Sequence, residues 1–489
     1  MNRITIPLIF FIIPILLQSQ DYHYWAEQFG ARSSLMGGAV IAGVNDNTAI
    51  FYNPGGLGFL EGSSISVDAN IYKAQFTRFS NVLGQDYDIH YNRYTYYPQL
   101  LSGMLNFIKD PDYKLGFILL TRYNSRLLFH ERIIGELDAM EDIPGNESYI
   151  GSFDYSNEFL EQWGGIGISR RFSEKLSLGI TTFVSYRYQS FRSEVAASAI
   201  PVEDSVYYIS SISESQEIIY VNWKLFWKLG MSMRFGNWKL GLTFTTPTIN
   251  LYGDADVQGE VIANNLRVLP GNDFRFDFMA VDRQEYLPMH YKNPASIGFG
   301  LEYSGEKTSI ELAAEYYFRI KPYDIIDPET RYVVYPQSLY NEATGEIKFL
   351  EVKGWANDVL NLGIGWQQYL SGSLDFLMGF RTDFNYFNDQ YENYQEGIIM
   401  YGRPYDIYHL TAGLALKQKQ SQITAGLEYT LGFTNNMRQL VDFAEPEENL
   451  GLVGDVENNT RVRDHGIAFV IGFTYYFNKA LGDFKLKEE

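Results

Sequence analysis

Residues 219–235, IYVNWKLFWKLGMSMRF, decide the fold class because apolar and polar side chains alternate along them. On an extended chain one face carries only apolar side chains: Val221, Trp223, Leu225, Trp227, Leu229, Met231, Met233 and Phe235. The other face carries Asn222, Lys224, Lys228, Ser232 and Arg234. A period of two indicates a β-strand. The length exceeds the roughly 5–6 residues typical of soluble strands and suits a tilted transmembrane wall.

The same alternation recurs along the chain and predicts an all-β protein, a transmembrane antiparallel β-barrel of about fourteen strands. The predicted strands are 62–76, 94–108, 112–129, 158–172, 175–192, 217–235, 237–250, 288–303, 306–320, 357–370, 372–387, 404–419, 421–436 and 464–477. Short and long connections alternate between them, as in outer-membrane barrels with short periplasmic turns and long outer loops. Nothing in a soluble barrel requires short and long connections to alternate in this way.

Composition supports this class. The chain has 489 residues, no cysteine, an aromatic fraction of 16% and a formal charge of -20. The charge argues against nucleic acid as a partner, and the missing cysteine excludes disulfides and thiolate metal sites. A mean hydropathy of -0.20 excludes a polytopic helical membrane protein. It is compatible with strands that present every second residue to lipid.

The N-terminus predicts a secretory signal peptide over residues 1–19. Arg3 precedes an apolar run at 4–17, which is shorter than the roughly 20 residues of a spanning helix. A retained anchor helix is the alternative. The remaining divisions are an N-terminal plug at 20–61, the barrel at 62–477 and a charged periplasmic tail at 478–489.

The plug region lacks strand alternation and reads GARSSLMGGAVIAGVNDNTAIFYNPGGLGFL at 30–60. It resembles the N-terminal hatch of the FadL-like outer-membrane transport proteins. The matching residues are Arg32, Ser33, Met36, Gly37, Gly38, Ala39, Asp46, Ala49, Phe51, Asn53 and Pro54. Gly55 replaces the family's alanine. A second similarity is LGLTFTTPT at 240–248, like a family strand that ends in Ser/Thr-Pro-Thr before an outer loop.

The resemblance implies a monomeric outer-membrane channel for passive uptake of hydrophobic small molecules such as long-chain fatty acids. The ligand would pass a pocket lined by the hatch, whose N-terminus moves, and leave sideways through a gap in the wall. Candidate ligand-binding residues are Tyr24, Trp25, Met36, Phe51 and Phe59, although for any one of them packing of the hatch against the wall is the simpler explanation. The same hatch motif occurs in barrels of protein secretion. A shuttle or accessory subunit for protein export or outer-membrane assembly, with a periplasmic or outer-membrane protein partner, is therefore the alternative.

Alternation also predicts charges that face the lumen, among them Arg187, Arg319 and Arg381. A carboxylate ligand could meet these arginines, but pairing with lumenal acids is the simpler expectation. Three prolines, Pro98, Pro247 and Pro294, remove ladder donors and mark candidate positions for a gap, although strand ends also tolerate proline. No nucleophile, base or metal-ligand spacing is recognisable, so we expect no enzymatic activity, cofactor or metal.

Overall fold

The structure is a computed structural model that describes residues 22–477 except 106–107, 109, 141–142, 203–207, 268–274, 330–332, 336–349 and 388–401. The predicted signal peptide and C-terminal tail lie outside the described residues. Among the described residues, no helix is long and apolar enough to cross a membrane.

The described chain is almost entirely β-structure. Its strands are β1 (Ser64–Ser80), β2 (Ile89–Leu105), β3 (Tyr113–Leu137), β4 (Glu147–Arg171), β5 (Leu176–Ile200), β6 (Ser210–Phe235), β7 (Trp238–Thr245), β8 (Ile249–Leu266), β9 (Phe276–Pro288), β10 (Ser296–Ser304), β11 (Thr308–Tyr317), β12 (Ile320–Ile326), β13 (Val333–Tyr335), β14 (Val352–Ala356), β15 (Val359–Tyr369), β16 (Leu374–Asp383), β17 (Ile407–Lys417), β18 (Ser421–Met437), β19 (Asp442–Glu447), β20 (Val453–Gly454) and β21 (Thr460–Tyr476). Helix α1 (Ala31–Leu35), helix α2 (Ala49–Tyr52) and a 3-10 helix (Pro54–Phe59) precede them.

Fourteen of the described strands close into an antiparallel barrel, in the order β1 to β7, then β10, β11, β15 to β18 and β21. The closing ladder joins β21 to β1, from Ser64 opposite Tyr476 to Ser80 opposite Arg461. Each of these strands overlaps one of the fourteen predicted from alternation, so the fold class and strand number are confirmed. Both ends of the barrel wall lie on the same side, as an even strand count requires.

The outward face of the wall is apolar between two aromatic belts. On β6 the exposed Trp223 and Phe235 mark the two belts, and the exposed Leu229 lies between them. Twelve residues separate the two aromatics; at about 3.3 Å per residue and a tilt of about 40°, this separation corresponds to a height of about 30 Å. That height matches the hydrocarbon core of a bilayer.

The wall is much taller on one side than sequence alternation predicted. Strands β3 to β6 contain 25 or 26 residues, whereas β10 and β11 contain 9 and 10. The predicted loops at 130–157 and 193–216 are instead largely strand, because the β3–β4 and β5–β6 ladders continue far beyond the upper aromatic belt. Loop residues fill the inside of this extension with an apolar core, in which the Tyr149 hydroxyl donates to Leu452 O at 2.7 Å.

Residues 22–60, here called the hatch, lie inside the barrel, and their backbone packs against glycines on the lumenal face of the wall. A Cβ atom on Gly179 would lie 2.3 Å from Pro54 O, and one on Gly241 would lie 2.2 Å from Ile41 O. Wall glycines are therefore required wherever the hatch backbone approaches this closely.

Candidate functional site

The first described residues, 22–28, cross the middle of the lumen and are called the N-terminal segment below. Its backbone is held by wall side chains: Trp25 N donates to Asp383 Oδ1 at 2.8 Å, and Arg381 Nε donates to Trp25 O at 3.1 Å. From the opposite side of the barrel, the Tyr123 hydroxyl donates to His23 O at 2.6 Å. The segment is thus suspended between β3 and β16 by hydrogen bonds to its backbone.

Tyr24 is the central side chain of this segment. Its ring stacks on Tyr317 with centroids 4.1 Å apart and on Tyr386 with centroids 4.6 Å apart. The interplanar angles are 17° and 24°, so the three rings form one nearly parallel stack. Next to it, the Trp25 indole donates from Nε1 to Glu315 Oε2 at 3.0 Å, which fixes that ring against β11.

Two neighbouring cavities meet at Tyr24. The first, the aromatic cavity, is lined by the rings of Tyr24, Phe51, Tyr123, Trp163, Phe183, Phe226 and Tyr317. The second, the tyrosine cavity, is lined by the rings of Tyr24, Tyr123, Tyr291, Tyr323, Trp355 and Tyr386. Tyr24 and Tyr123 border both, so the N-terminal segment forms part of the partition between them.

Arg122 is a buried cation in the wall of the aromatic cavity. It lies at a shift in the β3–β4 register, between Thr121 and Tyr123, which turns it into the lumen. Its guanidinium donates to Tyr24 O and lies 5.3 Å from the centroid of the Trp163 ring. Among the described residues it pairs with no carboxylate, so backbone carbonyls and ring faces satisfy this charge.

The five predicted ligand residues separate into two groups. Tyr24 and Phe51 line the cavities, whereas Trp25 is buried beside them. Met36 is buried against the wall, and its Cε atom lies 2.8 Å from the place where a Cβ on Gly365 would lie. Phe59 is half-buried, and the Arg234 guanidinium lies over its ring. In this structure Met36 and Phe59 pack against the wall rather than line either cavity.

The hatch-motif residues also act through packing and hydrogen bonds. Gly37 and Gly38 have φ of 65° and 73°, the left-handed region that favours glycine. Asn53 donates from Nδ2 to Ile41 O at 2.8 Å and to Met231 O at 3.0 Å, which joins the hatch to β6. Pro54 follows it at the start of the 3-10 helix, where a missing N–H is harmless.

Two of the three predicted lumenal arginines are inside the barrel and paired. Arg187 donates to Glu161 Oε2 at 2.9 Å, and Lys224 lies 3.3 Å from the same carboxylate. Arg381 contacts Glu428 at 2.8 Å as well as the N-terminal segment.

Arg319 lies apart from these buried pairs. The side chain is 52% exposed and lies 3.4 Å from Asp358, beyond the end of β11. The predicted strand 306–320 ends at Tyr317, so the inward-outward alternation does not extend to Arg319.

In the described part of the wall, neighbouring strands separate at two places, which are called seams below. Between β2 and β3, paired residues within the described part of the wall are limited to 100–105 and 115–120. Above them, side chains bridge the strands: the Tyr91 hydroxyl donates to Arg126 O, and Arg93 donates to Asn124 O at 3.2 Å. A cavity lined by Tyr91, Arg93 and Arg126 lies behind this seam.

The second seam lies between two ladders, a lower one that pairs β7 with β10 and an upper one that pairs β8 with β9. The lower ladder ends at Thr245 opposite Ser296, and the upper ladder begins at Asp254 opposite Pro288. Residues on both sides of this seam line the aromatic cavity. The structure places Pro98 at the lower end of the open part of the first seam, and Pro247 and Pro294 within the second.

Sequence reasoning missed Tyr317, Tyr386 and Arg122. Tyr317 has lumenal parity on a predicted strand, so its inward position could have been found. Tyr386 lies beyond the end of β16, and Arg122 turns inward only because of the register shift, so alternation carries no signal for either residue.

The fold matches solved outer-membrane channels. A Pseudomonas aeruginosa FadL homologue superimposes with a TM-score of 0.55 at 11% identity, covering 93% of this chain and 100% of that chain. The Pseudomonas putida toluene transporter TodX gives 0.55 at 13% identity, covering 94% and 100%. The CymD monoaromatic hydrocarbon channel gives 0.51 at 12% identity, covering 92% and 97%. No protein-family model and no curated protein matches the sequence.

The resemblance to FadL-like barrels is thus confirmed for the fold. This fold, together with an apolar exterior between two aromatic belts, is that of an outer-membrane barrel.

Proposed function

We propose that the protein is an outer-membrane channel for passive uptake of hydrophobic small molecules. The observation that carries the proposal is the pair of ring-lined cavities inside the barrel, both bordered by Tyr24 of the N-terminal segment. Pockets that bind small molecules are typically concave and mostly apolar, with a few polar groups. The neighbouring structures named as a toluene transporter and a monoaromatic hydrocarbon channel share this barrel.

The N-terminal segment is the moving part in this proposal. Its described residues contact the wall mainly through backbone hydrogen bonds and stacked rings rather than through a continuous ladder. A ligand that binds in the cavities would displace Tyr24 and join the two spaces. Movement of this short segment requires no change in the fourteen-strand ladder.

The seams provide a sideways route. The aromatic cavity reaches the second seam, whose outer edge carries the exposed apolar side chains Ile249 and Leu251. An apolar molecule leaving there passes into hydrocarbon without crossing water, which is the favourable direction of transfer. Long-chain fatty acids are one class of cargo that fits this route; aromatic hydrocarbons are another.

Binding of radiolabelled palmitate and of toluene to the purified full chain tests the proposal. We expect both to bind, and we expect deletion of residues 22–28 to weaken binding by about tenfold or more, because both cavities lose a wall. The substitution Tyr96→Ala, on the barrel exterior where Tyr96 is 82% exposed, is the control and should leave binding unchanged. Equal binding by the deletion variant would refute the role of the segment, and no binding of either ligand to the full chain would refute the function.

A further inference from the structure

The Tyr24 ring stacks on both Tyr317 and Tyr386, and the space that it occupies beside these two rings is called the slot below. Tyr24 reaches the slot from the N-terminal segment, whereas Tyr317 and Tyr386 belong to the wall side of the lumen. Removal of Tyr24 would vacate the space of one ring, on which both Tyr317 and Tyr386 stack. A planar aromatic group fits such a slot and offers the same stacking energy, but an alkyl chain has no ring face to offer.

The cavities on both sides of the slot are lined by rings rather than by aliphatic side chains. In the tyrosine cavity, Ile320 is the one large aliphatic side chain among the described lining residues. A long alkyl chain would gain area burial there, but an aromatic ligand would gain ring contacts as well. The lining therefore favours arenes.

Basic side chains outnumber acidic ones in the lining of the two cavities beside the slot, although the whole chain carries a formal charge of -20. The described lining residues of the two cavities include four basic side chains, Arg122, Arg187, Lys228 and Lys292, and one acidic side chain, Glu315, a balance of +3. Glu315 already accepts hydrogen bonds from Ser296 and Trp25. A local excess of cations inside an acidic protein attracts an anion.

Lys292 is the cation best placed for a ligand. Its ammonium lies 4.3 Å from the centroid of the Tyr323 ring in the tyrosine cavity, and among the described residues it forms no ion pair. Arg187 lines the same cavity but already forms an ion pair with Glu161. A carboxylate at this place would form a charge-assisted hydrogen bond with Lys292.

We propose that the ligand is an aromatic carboxylate, whose ring takes the slot of Tyr24 and whose carboxylate meets Lys292. This inference rests on the proposed channel function and narrows its cargo to an arene that bears an acid on a short side chain. Because the ligand ring and the Tyr24 ring compete for one slot, binding displaces the Tyr24 side chain, while the backbone of the N-terminal segment remains as a wall of both cavities.

Calorimetric titration of the purified full chain with three probes tests the proposal. The probes are 3-phenylpropanoate, which has ring and acid, octanoate, which has the acid alone, and toluene, which has the ring alone. We expect 3-phenylpropanoate to bind about tenfold more tightly than either of the others, since it makes both the stack and the charge-assisted bond.

Variants separate the two contacts. Tyr24→Ala should tighten binding of 3-phenylpropanoate by about fivefold, because no ring competes for the slot. Lys292→Gln should weaken it by about fivefold, and the exterior variant Tyr96→Ala should leave it unchanged.

Three results would overturn the inference: octanoate or toluene binding as tightly as 3-phenylpropanoate, Tyr24→Ala weakening its binding, or Lys292→Gln leaving it intact. If palmitate and toluene nevertheless bind in the experiment above, the channel function stands and only the aromatic-acid assignment fails. If no hydrophobic probe binds, both fail together.

Discussion

Gly379 on β16 should control how firmly the hatch is held. A Cβ at this position would lie 2.2 Å from Gly37 N and 2.3 Å from Met36 C, both backbone atoms of the hatch. Carbon atoms pack at about 3.5 Å or more, so Gly379→Ala requires the hatch to move by about 1 Å or to leave. Overpacking of this kind costs about 1–3 kcal/mol. Undocking relieves that cost, so the equilibrium shifts toward the undocked hatch by about 5- to 150-fold.

Conductance in planar bilayers and limited proteolysis of the N-terminal segment measure this equilibrium. Gly379→Ala should raise both the conductance and the cleavage rate while the β-sheet circular dichroism stays unchanged. The matched control is Gly372→Ala, because a Cβ on Gly372 would have no atom within 4 Å. If the two variants behave alike, close backbone packing does not hold the hatch in place, and the reasoning is refuted.

Three further changes test the polar contacts of the lumen and of the first seam. Glu161→Gln leaves two buried cations without their acid and should lower the unfolding free energy by about 3–5 kcal/mol, as measured by thermal unfolding in detergent. Glu158→Gln removes an acid that is 44% exposed and should cost less than about 1 kcal/mol; equal losses would contradict the first expectation. Arg381→Gln should increase proteolysis of the N-terminal segment, whereas Arg319→Gln on the exposed surface should not, and a common effect would count against a specific role. Tyr91→Phe removes a bridge across the β2–β3 seam and should raise uptake of toluene into liposomes; unchanged uptake would exclude this seam as the limiting step.

The strands of the wall were predictable because apolar and polar side chains alternate along each of them. In residues 219–235 the buried Lys224 and Lys228 and the exposed Leu229 lie on the faces that alternation assigned to them. The height of the wall was not predictable in the same way. Above the upper aromatic belt the contrast is reversed: β5 places Phe191 and Val195 in the apolar core inside the barrel and Arg192 on the outside, so the lipid-facing pattern is lost although the ladder continues.

Pairing of lumenal charges was predictable only where a short turn fixes the strand register. The turn at 172–175 places Arg171 opposite Ser177, and the β4–β5 ladder then continues without a shift, so Glu161 faces Arg187. No short turn joins β5 to β6, and the pairing of Lys224 with Glu161 depends on a register set by the long connection. The sequence therefore identifies two members of this cluster as neighbours and leaves the third open.

The aromatic slot lies outside the reach of strand patterns because its three rings come from distant and irregular parts of the chain. Tyr24 belongs to the N-terminal segment, Tyr317 to the last position of β11, and Tyr386 to the chain beyond β16. What brings them together is the hydrogen bonding of the segment's backbone to wall side chains such as Asp383, which needs the closed barrel first. The net negative charge of the chain likewise does not predict the excess of basic side chains in the cavities beside the slot. If the protein is the proposed channel, the residues that select its cargo are few, and their position follows from closure of the wall.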